Sequence, residues 1–275
     1  MMSNIKKISR ILTPLMALSM LAGCGNSEPT GTAEATQQPA AAVSAQHAHW
    51  SYEGETSPEH WAELDQLFTT CKVGTAQSPI NITHEKVKED PGLSPIQTKY
   101  FPSRVSMVNN GHTIQVNLKN PDNQITIEGT SYTLQQFHFH LPSEHQIDGN
   151  NAEMELHFVH KSEDGKIAVL GALITAGAEN TELNKLWSVL PAEESEQEVE
   201  LDGMFDLNQL LPADMDSFRY QGSLTTPPCT EGVQWVVLEH PVQWSEAQVG
   251  KFEAIFPHDN RPVQSLGARE VESDH

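Results

Sequence analysis

From residue 104 onward, apolar and polar side chains alternate in runs of five to ten, the period of a strand with one face buried. The alternation predicts strands over 104–109, 112–118, 124–128, 131–140, 152–161, 166–175 and 233–239. Asn110-Gly111, Glu128-Gly129, Asp148-Gly149 and Asp164-Gly165 fall between or beside them and read as tight turns. Two stretches carry the helical period instead. Residues 181–190 place Leu183, Leu186, Trp187 and Leu190 on one face. Residues 245–256 open on a Ser-x-x-Gln capping box and align Val249, Phe252 and Phe256. With no internal repeat, the pattern describes one β-dominated domain with peripheral helices over residues 50–270, followed by a short tail at 271–275.

The strand face carries the candidate chemistry. In Gln136-Phe137-His138-Phe139-His140, side chains two apart share a face, so Gln136, His138 and His140 line one side and the phenylalanines the other. In the next long strand Glu155, His157 and Val159 share a face, opposite Leu156, Phe158 and His160. If the two strands are antiparallel neighbours, three imidazoles converge, each with room for a polar neighbour on its own face. Three such nitrogens suit a tetrahedral zinc site with one open corner, and the polar neighbours suit the outer contacts that fix a ligand's tautomer. An isolated His-x-His would read as ordinary surface or core histidines; the second strand sets a metal site beside that reading.

Composition narrows the partners. The 275 residues include 16 Lys plus Arg against 37 Asp plus Glu, a formal charge of −21, which excludes the basic stripes that nucleic-acid binding needs. The acidic run 193–200 reads as a solvated surface loop. The N-terminal 23 residues hold Lys6, Lys7 and Arg10 ahead of a short, broken apolar run, the pattern of a secretory signal. Its end, Leu21-Ala22-Gly23-Cys24, resembles the lipobox of bacterial lipoproteins, which makes Cys24 a lipidation candidate; ordinary signal cleavage farther on is the alternative. A lipid on Cys24 would be the chain's one link to a membrane. Residues 25–49, rich in Gly, Ser, Thr, Ala, Gln and Pro, read as a flexible tether. The pair His47 and His49 reads as part of it, with a weak second metal site as the alternative. Removal of 1–23 would leave 13 basic and 37 acidic residues, net −24. With Cys24 set aside, Cys71 and Cys229 remain, either bridged in an oxidising compartment or buried as free thiols.

Five motifs occur in order: Gln136-Phe-His-Phe-His140, Ser143-Glu144-His145, Glu155-Leu-His-Phe-Val-His160, Ser223-Leu-Thr-Thr-Pro-Pro228 and Asn260-Arg-Pro-Val-Gln264. Together they resemble an alpha-class carbonic anhydrase of the bacterial exported kind, over about Trp50 to Arg269. The resemblance implies a large central, mostly antiparallel twisted sheet with short peripheral helices. It also implies reversible hydration of carbon dioxide to bicarbonate and a proton by zinc-bound hydroxide. Carried over position by position, it makes His138, His140 and His157 the ligands of a Zn²⁺ cofactor. Gln136 then bonds His138, Glu155 bonds His157, and the backbone carbonyl of Asn260 bonds His140. Thr225 becomes the gatekeeper that donates to Glu144.

The same resemblance makes Val159, Val169, Leu224 and Trp235, with Thr226 at the rim, the walls of an apolar pocket. His112 takes the proton-shuttle position, and Tyr52, Asn110 and Gln115 order the water chain leading to it; the glutamine stands where better-studied members carry asparagine. It pairs Cys71 with Cys229, and bacterial members suggest a homodimer. Ester hydrolysis would use the same hydroxide as a secondary activity. A non-catalytic zinc-holding or binding lipoprotein on this scaffold is the rival reading, although such relatives typically lose ligand histidines and none is missing here.

Overall fold

The computed structural model describes residues 48–274. The signal segment, Cys24, His47 and the tether as far as residue 47 lie outside the described residues.

Strands β1 (Val87–Glu89), β2 (Val105–Asn109), β3 (Ile114–Leu118), β4 (Gln124–Ile127), β5 (Thr130–His140), β6 (Met154–Ser162), β7 (Ile167–Ala176), β8 (Val199–Glu200), β9 (Ser217–Ser223), β10 (Glu231–Leu238) and β11 (Val271–Ser273) belong to one sheet. Its main path runs β8-β2-β3-β5-β6-β7-β10-β9-β11-β1, with β4 branching off β5. Most pairings are antiparallel; β7 with β10 and β11 with β1 are parallel. The β4–β5 hairpin closes through Glu128 and Gly129, both at positive φ as a two-residue type I′ turn demands.

The two faces of the sheet differ as the alternation requires. Behind it, Phe137, Phe139, Leu156, Phe158 and Leu170 pack with Trp187, Trp244 and Phe252 in the larger apolar core. The helices that cover this face are α1 (Leu183–Trp187) and α2 (Glu246–Glu253). Helix α2 starts with the expected capping box between Ser245 and Gln248. In front, Val169, Val233, Trp235 and Val237 form a second apolar cluster, with Val159 and Leu224 packed against it.

Three expectations change. The chain does not end in a tail at 271: Val271–Ser273 is β11, paired with β9 and β1. The acidic run is exposed but not merely solvated, since Val199 and Glu200 pair with Met107 and Ser106. Strand β9, with no clean alternation in Ser-Phe-Arg-Tyr-Gln-Gly-Ser, went unpredicted; both its flanking strands hold it.

Candidate active site

The register between β5 and β6 sets His138 directly opposite His157, and His140 opposite Glu155. On its other side His138 faces Gln115 of β3, and His157 faces Gly171 of β7. The neighbouring rung reads Asn117, Gln136, Val159, Val169, Trp235 across five strands. Polar and apolar halves of the site are thus adjacent rungs of one sheet face.

Each of the three histidines spends one ring nitrogen on the protein and leaves the other free. Nδ1 of His138 lies 2.8 Å from Gln136 Oε1, and Nε2 of His157 lies 2.9 Å from Glu155 Oε1. Nδ1 of His140 lies 2.6 Å from a backbone carbonyl, that of Asp259 and not of Asn260. Asn260 instead points its amide toward the Ser143 carbonyl at 3.5 Å. Asp259 is doubly tied here, because its Oδ1 accepts from the Leu141 amide at 2.6 Å. One ligand atom from each ring falls within 4.8 Å of the others, and His140 Nε2 is buried without a partner. Burial lowers the pKa of all three, His140 to about 4, so the imidazoles are neutral at pH 7, the form that binds a metal. An orphaned buried nitrogen and three neutral donors fit Zn²⁺ with one position left open.

A second cluster, His145, Glu155 and His157, is equally close-packed but chemically closed. Both His145 nitrogens are used, Nδ1 by Glu155 Oε1 at 2.7 Å and Nε2 by the Tyr220 hydroxyl at 2.6 Å. Glu155 Oε2 accepts from the amides of Glu144 and His145. Burial would raise the Glu155 carboxyl, but its electrostatic interactions and hydrogen bonds with the His145 and His157 rings hold it well below the usual range. A Cβ on Gly171 would stand 2.9 Å from Glu155 Oε1, so the absent side chain makes room for this carboxylate.

Glu144 is fully buried. Its Oε1 accepts from the Arg261 amide at 2.8 Å, and its Oε2 lies 3.6 Å from His140 Nε2 and 3.9 Å from His157 Nδ1. Burial pushes its carboxyl up to about 7, against the pull of His157 and of a hydrogen bond from Thr225. Oε2 itself is buried with no hydrogen-bond partner among the described residues. Thr225 is buried, with Leu224 and Thr226 half-buried beside it. The loop is held where Cys229 N donates to the Thr226 carbonyl and the Cys71–Cys229 disulfide ties it to the N-terminal part. Arg261, which sequence reasoning left without a role, is buried and braces that junction. It donates to Gln77, to the Ser78 carbonyl and to the Cys71 carbonyl.

The other expected residues sit around this centre. The buried Tyr52 hydroxyl has no hydrogen-bond partner among the described residues, and Glu144 and Asp259 are close enough to act on it electrostatically. Gln115 donates to Asn117 at 2.7 Å. Asn110 is exposed, and its Oδ1 caps the amides of His112 and Thr113, so its side chain shapes the turn. His112 stacks on Trp50 with ring centroids 3.6 Å apart. His145 and Asp259 were missed: the first had no periodic partner, and the second acts through a backbone atom that any residue carries.

A family model for eukaryotic-type carbonic anhydrases matches residues 56–275. A carbonic anhydrase of Klebsiella pneumoniae is 50% identical over 231 residues, covering 82% of this chain and 90% of that protein. One of Neisseria gonorrhoeae is 46% identical over 232 residues, covering 84% and 90%. Among solved structures, the alpha-carbonic anhydrase of Thermovibrio ammonificans, in complex with the inhibitor sulfanilamide, matches with a TM-score of 0.79. It is 43% identical and covers 82% of this chain and 99% of that one. The chain belongs to the eukaryotic-type, or alpha, carbonic anhydrase family and is an enzyme of that class.

Proposed function

We propose that this enzyme hydrates carbon dioxide reversibly with a zinc ion held by His138 Nε2, His140 Nε2 and His157 Nδ1. The observation that carries the reading is the division of labour in the three rings, where every nitrogen not aimed at the common centre is bonded to Gln136, Asp259 or Glu155. Zinc so held supplies hydroxide from water near neutral pH.

The protein's own groups then orient and exclude. An ionised Glu144 can only accept, so the Thr225 proton points at it and the threonine lone pair faces the reacting oxygen. Thr225 thereby fixes the direction of attack. Carbon dioxide has no charge or dipole and suits the wall formed by Val159, Val169, Leu224 and Trp235. His112 takes the proton released in each cycle, through water ordered by Tyr52 and Gln115, and passes it to buffer.

We read residues 1–23 as the export signal and Cys24 as the lipid anchor of a periplasmic or membrane-held enzyme; mass analysis of the mature N-terminus tests that. Stopped-flow carbon dioxide hydration tests the activity. Dialysis against a chelator should abolish it and one equivalent of zinc should restore it; activity that survives complete metal removal would overturn the reading.

A further inference from the structure

The segment 191–200 is exposed and acidic, yet it is fastened to the strand that leads into the His112 turn. Asn109 Nδ2 donates to the carbonyls of Pro191 and Ala192 at 3.3 Å, and the Ser195 amide donates to the Asn109 carbonyl at 2.9 Å. Farther along, Glu198 accepts from Asn117 at 2.8 Å and from the Ser106 hydroxyl. None of these bonds uses the Glu194 side chain. Its carboxylate lies over Gly111 instead: a Cβ there would stand 2.8 Å from Glu194 Cδ and 3.0 and 3.1 Å from its two oxygens. Gly111 sits at φ 83° immediately before His112. The backbone pins therefore hold a negative charge against the turn that presents the imidazole.

We propose that Glu194 is a positioning residue for proton release, its carboxylate favouring the protonated form of the His112 imidazole. The inference rests on the reading of His112 as the shuttle. Trp50 covers one face of the ring and contributes no charge, while the His49 ring stands 6.3 Å away. Burial and His49 lower the His112 pKa, and Glu194 raises it. A relay works best when its pKa lies near that of its donor and the working pH, so the carboxylate offsets the two influences that would leave the imidazole too weak a base.

The test uses the full zinc-loaded protein with Glu194→Gln, His112→Ala and the double variant. NMR titration of the His112 ring should show a lower midpoint in E194Q. Turnover in dilute buffer should fall about two- to fivefold, well short of the ~10²-fold that losing a proton-transfer group can cost. Concentrated imidazole should restore it, Glu194→Asp should recover part of it, and E194Q should add nothing in the H112A background. An unchanged His112 midpoint overturns the inference, as does a loss that persists in H112A or in concentrated imidazole. A buffer-rescued defect in H112A with none in E194Q overturns this inference alone. No such defect in H112A overturns the shuttle reading and this inference with it.

Discussion

Glu155 and His157 share one hydrogen bond, 2.9 Å from Oε1 to Nε2, and the same oxygen also holds His145 Nδ1 at 2.7 Å. A single carboxylate oxygen thus orients the proposed zinc ligand while being fixed by His145, both of whose ring nitrogens are hydrogen-bonded. Replacing Glu155 with Gln keeps the shape but removes the charge and an acceptor site. Zinc affinity should fall about 10–100-fold, the usual cost of losing such an outer contact, as measured by competition with a chelator. Unchanged affinity would show that the strand geometry alone sets His157.

In the proposed mechanism Thr225 acts through its hydroxyl, so Thr225→Val should remove the function at nearly constant shape. Carbon dioxide hydration should fall by about 10²-fold, the scale of lost orientation, with one zinc per chain retained. Loss of the zinc along with the activity would assign Thr225 a structural role.

The disulfide closes a span of 158 residues and joins two hydrogen-bonded sites, part-buried at the Cys71 carbonyl and buried at that of Cys229. The double variant Cys71→Ser, Cys229→Ser should lose about 2–5 kcal/mol of stability in denaturant unfolding. Its activity should drop through loosening of the Thr225 loop while the histidines still bind zinc. An unfolding midpoint equal to that of the parent would contradict this.

His160 lies on the far face of β6, bonded through Nε2 to the Tyr100 hydroxyl at 2.7 Å. Burial lowers its pKa to about 3 from an ordinary 6.5. The folded protein holds this histidine neutral, and the unfolded chain protonates it first as pH falls. Its contribution is therefore present above pH 6.5 and is lost between 6.5 and about 3, on the order of 5 kcal/mol in all. In His160→Phe the slope of stability against pH across that window should be shallower by about one proton. The slope is the readout, because losing the Tyr100 partner lowers stability at every pH. An unchanged slope would mean that His160 does not titrate on unfolding.

Much of this was legible in the sequence because period and burial agree. The strand faces of 131–140 and 152–161 place Gln136, His138, His140, Glu155 and His157 where the register puts them. Helix 245–256 is shorter, Glu246–Glu253, but begins at the predicted cap. What escaped depends on tertiary contacts. The carbonyl that meets His140 belongs to Asp259, one residue before the expected Asn260, and no side-chain pattern distinguishes neighbouring carbonyls. His145 and Arg261 are polar residues whose roles exist only once segments about 10 to 190 residues apart are packed together. The acidic run looks like open surface until Asn109 and Asn117 are seen to hold it.

Anomalous diffraction at the zinc edge, from crystals of protein supplied with zinc, decides whether the three histidines form the metal site. One strong peak is expected about 2.0–2.1 Å from each of His138 Nε2, His140 Nε2 and His157 Nδ1. A peak elsewhere, for instance among His145, Glu155 and His157, or none at all in zinc-replete protein, would contradict it.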